Sequence, residues 1–267
     1  MRIAVCIKQV PDTEARLRVD TTGRWVNEED LPFQINESDE HALEEALKIA
    51  EARGGEVVVV SLGPSRVKDA LRKALAMGAH RAVHLCDEAF DGGDALATAR
   101  ALHAALTRDG QEAFDLVLTG SQSDDVGFGS TGSVLAGHLG WPHAWLVMGI
   151  EVAEDGGSAR VVREMESGTN EIARVPLPAV LEVQSGINHP RYASLKGIMK
   201  AKKKPQELLK AADLGLDATV VGAAGSRIET VSVAFPDSGQ GAEMIEGDAA
   251  TAAATLVQKL QKEARVL

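Results

Sequence analysis

Apolar and polar positions along the chain follow two periods in turn. Short continuous apolar runs, Arg2 to Val10, Glu56 to Leu62, Ala82 to Cys86 and Leu116 to Thr119, are separated by stretches with helical spacing: Glu37 to Arg53, Arg66 to Met77, Ala95 to Thr107 and Gly129 to Leu139. The order reads βαβαβαβα. Runs such as VVVVSL and DLVLTG lack the polar alternate positions of a half-solvated strand, so both faces must be covered. An α/β fold with a parallel sheet and helices on both faces is predicted. In such a sheet the ligand crevice lies at the carboxyl ends of the strands. The turns Leu62-Gly63-Pro64 and Thr119-Gly120-Ser121 place adaptable backbone at that edge.

Three segments depart from the repeat. Pro11 to Ile35, with Thr21-Thr22-Gly23-Arg24, alternates and predicts a hairpin at one end of the sheet. After Trp141, strands near Trp145 to Val152, Ala159 to Glu166, Asn170 to Val175 and Ala179 to Gln184, divided by AEDGGS and ESGTN turns, predict an added β-meander. Beyond Pro205 the chain is rich in small and polar residues and ends in an amphipathic helix from about Ala249 to Glu263. The expected division is an α/β domain over residues 1–205 and an extended C-terminal arm over 206–267 that wraps a partner subunit.

The 267 residues, 45% of them hydrophobic, suffice for one large core. A formal charge of −11 argues against a general nucleic-acid binder, which needs positive potential to displace counterions from phosphates. Cys6 and Cys86, the only cysteines, are too few for a secreted disulfide framework and imply a reducing compartment. The N-terminus enters a strand without a leader pattern, and no apolar run approaches a membrane span, so a cytoplasmic protein of a bacterium or archaeon without direct membrane insertion is expected.

Candidate chemistry concentrates in the stretch Gly120, Ser121, Gln122, Ser123, Asp124, Asp125, Val126, Gly127, Phe128, Gly129, Ser130, Thr131, which follows a buried strand and feeds a helix. Glycine and serine let backbone approach a ligand closely, and a helix start offers unpaired N–H groups and a positive dipole end. The stretch matches neither GxxxxGK[ST] nor GxGxxG, so nucleotide binding and a merely flexible turn both remain open. Asp124 and Asp125 argue against a crowded polyphosphate. Asn36-Glu37-Ser38-Asp39 heads a helix, where capping and ligand contact are compatible roles, and Glu40, Glu44 and Glu45 are expected on a solvated face. Catalytic patterns are scarce. His80 and His84 straddle a turn without further ligands, and no nucleophile elbow occurs.

The segment His189 to Lys204, HPRYASLKGIMKAKKK, combines a fixed-φ proline, the only tyrosine, an apolar anchor and a basic cluster. Its wording resembles the recognition loop of the beta subunit of the electron transfer flavoprotein family. The likeness extends to MRIAVCIKQVPD, NESDEHALEEAL, VSLGP, ALAMGAHRAVHL and GSQSDDVGFGSTG in the same order. It implies an adenine-nucleotide-binding fold in which Cys6, Asn36, Glu37, Ser38, Asp39 and Leu62 surround the nucleotide and Gly120 to Thr131 wrap its ribose and phosphate. It further implies an alpha subunit holding or sharing FAD, and flavin-containing dehydrogenases that dock on Leu195. Arg191, Tyr192, Ile198, Met199 and Lys200 would flank that anchor, and Glu164 would meet an arginine of the alpha subunit near the flavin.

The chain departs from the common family wording at Ser121, where a lysine or arginine is usual, at Ser130, where glutamine is usual, at Glu37, where proline is frequent, and at Ala173, where a branched aliphatic residue is usual. These changes touch the identity of the nucleotide. The resemblance implies AMP as a structural ligand, with the adenine end of a second FAD, as in the electron-bifurcating branch using NADH, as the alternative in the same site. A stand-alone ATP-binding α/β module is the rival of a different class, and it predicts a stable monomer. No independent catalysis is expected.

Overall fold

A computed structural model describes residues 1–236 and 241–267. Its backbone is organised by one nine-stranded sheet in the order β11-β5-β4-β1-β6-β10-β7-β8-β9. The parallel part comprises β1 (Arg2–Cys6), β4 (Glu56–Leu62), β5 (Arg81–Leu85), β6 (Leu116–Gly120) and β10 (Ala179–Val183). It also includes β7 (His143–Val152) beside β10 and β11 (Gln206–Leu209) beside β5. Helices α1 (Glu37–Arg53) and α2 (Val67–Met77) bury Leu43, Leu47, Leu71 and Leu75 on one face. Helices α3 (Ala95–Thr107) and α4 (Thr131–Leu139) bury Leu102, Leu106 and Leu135 on the other. Strand residues therefore point alternately into two cores, Ile3 and Val5 into the first and Ala4 and Cys6 into the second. This double cover explains the continuous apolar strands and meets the predicted fold class.

The boundaries differ from the sequence pattern where tertiary pairing decides. The run from Arg2 to Val10 breaks after Cys6, and Gln9–Pro11 forms a separate strand, β2, antiparallel to β3 (Phe33–Ile35). Between them the excursion turns at Gly23, with a single bridge joining Val19 and Val26. The meander keeps three strands, β7, β8 (Ser158–Glu164) and β9 (Asn170–Pro176), in antiparallel order. The fourth expected member, β10, instead inserts between β6 and β7 with all five residues buried.

The sheet also continues past residue 205. The polar strand β11 joins its edge, and Leu209, Ala211 and Val221 enter the second core up to a one-turn helix, α6 (Gly222–Gly225). From Ser226 onward the described residues are almost wholly solvent-facing, and α7 (Ala249–Lys259) buries no residue. No helix among the described residues is long and apolar enough to cross a membrane.

Candidate functional site

Successive strands run from β1 outward through β4 to β5, after which β6 returns to the other side of β1. The direction of strand addition thus reverses between β1 and β6, the position at which open α/β sheets place their ligand sites. Asp39, in the first turn of α1, spans that point. Its Oδ2 accepts the Lys8 N–H at 2.7 Å and its Oδ1 accepts the Gly120 N–H at 2.8 Å. The side chain is nearly water-free, and burial raises its pKa to about 7 against the opposing pull of those two N–H donors. Burial, with the nearby Asp39 charge, also pushes the Cys6 thiol up to about 12, so it stays protonated and unreactive at neutral pH.

The residues that head α1 reach the 120–131 loop rather than capping their own helix. Asn36 makes no side-chain cap bond; its Nδ2 donates to the Gln122 carbonyl at 2.8 Å and its Oδ1 accepts the Asp124 N–H at 2.8 Å. Ser38 Oγ donates to the same Gln122 carbonyl at 2.9 Å. In return Asp124 Oδ2 accepts the Glu37 N–H at 3.2 Å, so the acid caps α1 from the opposite loop. Gly120 is sterically required here. A Cβ at that position would stand 2.1 Å from Ser38 Oγ and 2.4 Å from Asp39 Oδ1.

The rest of the 120–131 loop curves toward α4 through Gly127 and Gly129, both at positive φ. Ser121 is buried, whereas Val126 and Phe128 are exposed apolar groups on the rim. Lys8 supplies a cation that sequence reasoning did not single out. Its Nζ lies 2.6 Å from Asp125 Oδ1 and 3.4 Å from Ser123 Oγ. Burial works against the Asp125 charge, but the Lys8 ammonium and local hydrogen bonds outweigh it and hold this carboxyl below its usual range. Leu62 ends β4 beside this edge, and the following Gly63 carbonyl accepts the His84 Nε2–H at 2.9 Å.

Under the start of α4 lies a second buried carboxylate. A Cβ on Gly132 would meet Glu182 Cγ at 2.6 Å, and Glu182 Oε1 is 2.7 Å from His143 Nε2. Neither residue of this pair carried a pattern in the sequence, because only the insertion of β10 brings them together. His80 accepts the Val57 N–H at 3.0 Å and has a structural role. Among the described residues no group of three or more His, Cys, Asp or Glu is placed to hold a metal ion.

The segment from His189 to Lys204 forms a loop fastened along α1 and helix α5 (Leu195–Ala201) beside the end of α2. Tyr192 is 98% exposed and Leu195 83%, with Met199 and Ile198 beside them. Ser194 caps α5 by accepting the Gly197 N–H at 3.0 Å. Arg191 faces its own chain and pairs with Glu44 and Glu51. The expected solvated face of α1 is therefore corrected: Glu44 and Glu45 are buried, drawn in by Arg191 and by Asn188, whose Nδ2 donates to Glu45 Oε2 at 3.1 Å. Lys204 likewise leaves the basic cluster. Its Nζ donates to the carbonyls of Leu75, Gly78 and Ala79 at the end of α2. Lys196, Lys200, Lys202 and Lys203 remain exposed. Glu164 is exposed at the end of β8, across from Asn170 on the edge strand.

The profile of the electron transfer flavoprotein domain matches residues 24–214 of this chain. Electron transfer flavoprotein subunit beta of Methylophilus methylotrophus is 42% identical over 260 residues, covering 97% of each chain. The corresponding subunit of Thermoanaerobacterium thermosaccharolyticum is 39% identical over 261 residues, covering 97% of this chain and 98% of its own. The caffeyl-CoA reductase-Etf complex subunit CarD of Acetobacterium woodii is 37% identical over 265 residues, covering 98% of this chain and 99% of its own.

Proposed function

Because the chain belongs to the electron transfer flavoprotein family, we propose that it serves as the beta subunit of a heterodimer, binds AMP in the crevice between β1 and β6, and presents Leu195 to flavin-containing dehydrogenases. The observation that carries the nucleotide reading is the junction at Asp39, which joins the Lys8 and Gly120 amides at the reversal point while Asn36 and Ser38 fasten the glycine loop beside it. The residues fit an adenine nucleotide. Cys6, Leu62, Asn36 and Asp39 would surround the adenosine, and the loop amides and the start of α4 would face phosphate. Exposed Val126 and Phe128 offer apolar cover at the rim.

Charge favours a small phosphate load. Lys8 is the cation that reaches the loop, and Asp124 and Asp125 offset it, so the four charges of ATP would be poorly balanced there. That weighs against the stand-alone ATP module. Electron transfer itself would be carried by FAD on the alpha subunit, while this chain sets the approach of donor and acceptor. Its exposed lysines near Leu195 would steer acidic partners, and its small apolar anchor suits complexes that form and separate rapidly. Glu164 would pair with an alpha-subunit arginine, and the exposed chain beyond Gly225 would pack on that subunit.

Mass and absorbance analysis of the purified heterodimer tests the nucleotide reading. One flavin and one AMP per heterodimer are expected. Two flavins and no AMP would replace AMP by a second FAD, and ATP bound to the isolated chain would favour the monomeric module. For docking, Leu195→Ala should raise the dehydrogenase KM for the flavoprotein about tenfold without loss of flavin, the scale set by truncating a central anchor. An unchanged KM would reject Leu195 as that anchor.

A further inference from the structure

We infer that Arg191 is a positioning residue for docking, a guanidinium clamp that fixes the Leu195 loop on α1 rather than a group that touches the partner. The inference rests on the docking role of Leu195 proposed above. Residues 185–194 carry no regular secondary structure, so their path depends on side-chain ties. Arg191 supplies the densest of them. Its Nε and Nη2 reach Glu44 Oε2 and Oε1 at 2.8 and 3.0 Å, its Nη2 also reaches Glu51 Oε2 at 3.0 Å, and its backbone N–H donates to Glu44 Oε2 at 3.1 Å.

Glu44 and Glu51 are seven residues apart on one face of α1, two turns of helix, so a single planar fork bridges both. All three guanidinium nitrogens of Arg191 are thereby bonded to α1, while the next residue, Tyr192, and then Leu195 stand almost free of the protein. A second tie lies on the other side of the anchor, where Gly197 sits so close to α2 that a Cβ would fall 2.2 Å from the Ala76 carbonyl oxygen. Leu195 is thus a free side chain on a doubly fastened backbone. Such preorganisation lowers the ordering cost of association, and its loss weakens binding without altering the bound complex.

The test uses the intact heterodimer with a purified dehydrogenase and compares Arg191→Ala, Arg191→Lys and Leu195→Ala by steady-state kinetics, nucleotide content and amide hydrogen exchange of residues 189–195. Arg191→Ala is expected to raise KM about tenfold with kcat unchanged, the size of a lost preorganisation term, and to quicken exchange in the loop. Arg191→Lys, which keeps the charge but not the fork, should fall between. A raised KM with unchanged exchange would mean that Arg191 meets the partner directly, overturning the positioning role. A wild-type KM for Arg191→Ala alongside a raised KM for Leu195→Ala would overturn the inference and leave docking intact. Wild-type KM for both would remove the docking surface and the inference together. Should Arg191→Ala fail to fold, Arg191→Lys decides by the same readouts.

Discussion

Asp39 holds two strand ends together with a carboxyl group whose burial disfavours its charge. Its pKa rises from 3.8 in the open chain to about 7 in the folded one, so the folded state binds the extra proton between those limits. This contribution to stability is full below about pH 4 and fades as pH climbs through about 7. Urea unfolding at pH 5 and pH 8 should therefore show a wild-type loss that Asp39→Asn lacks, on top of a uniform penalty for the variant, because its amide offers one acceptor to two N–H donors. Gly120→Ala should cost about 1–3 kcal/mol, as overpacking does, and should strip nucleotide from the purified protein. Thermal melting and nucleotide content measure both. The residue types of this junction were legible in advance, since Asn-Glu-Ser-Asp and the glycine loop stand out in the chain. What they do was not: Asn36 and Ser38 looked like caps, yet they reach 84 to 88 residues along the chain. Lys8 and the pair His143–Glu182 gave no local signal at all, because only the packed sheet makes them neighbours.

Among the elements, α1, β4 and α3 stand at the bounds that periodicity predicts. β10 and β11 do not follow from local pattern. AVLEV has the unbroken apolar character of a central strand but follows the hairpins so closely that its sequence position suggests a fourth meander strand, and QELL is too polar to announce a place in any sheet. Helix α1 has an unusual share of the work. Its first turn fastens the glycine loop, and its middle turns hold Asn188 and Arg191. The neighbouring α2 is finished by Lys204, whose ammonium takes the Leu75 carbonyl in its last turn and those of Gly78 and Ala79 just past it. Burial, with Lys200 nearby, lowers the pKa of that amine. Lys204→Met should destabilise the protein by about 1–3 kcal/mol through the unsatisfied carbonyls, read as a lower urea midpoint, with the surface around Leu195 still exposed to solvent.

At the scale of the whole molecule, the chain falls into a part that satisfies itself and a part that does not. Residues up to Val221 build the two cores, and beyond Gly225 Phe235, Met244, Leu256 and Val257 lie on the surface. Deleting everything after Gly225 should leave cooperative unfolding in place while abolishing assembly with the alpha subunit, which calorimetry and size-exclusion chromatography would separate. If residues 1–225 still assembled, the arm would not be the gripping element.

An isolated copy of such a polypeptide carries sticky cargo in open water. Apolar side chains strung along a segment with no core of its own favour clumping over storage, so the pairing proposed above would be served by synthesising both polypeptides in step and clearing whichever is left over. Matched production, rather than surplus held in reserve, is the supply regime that would follow from the proposed pairing of this tail with an alpha subunit.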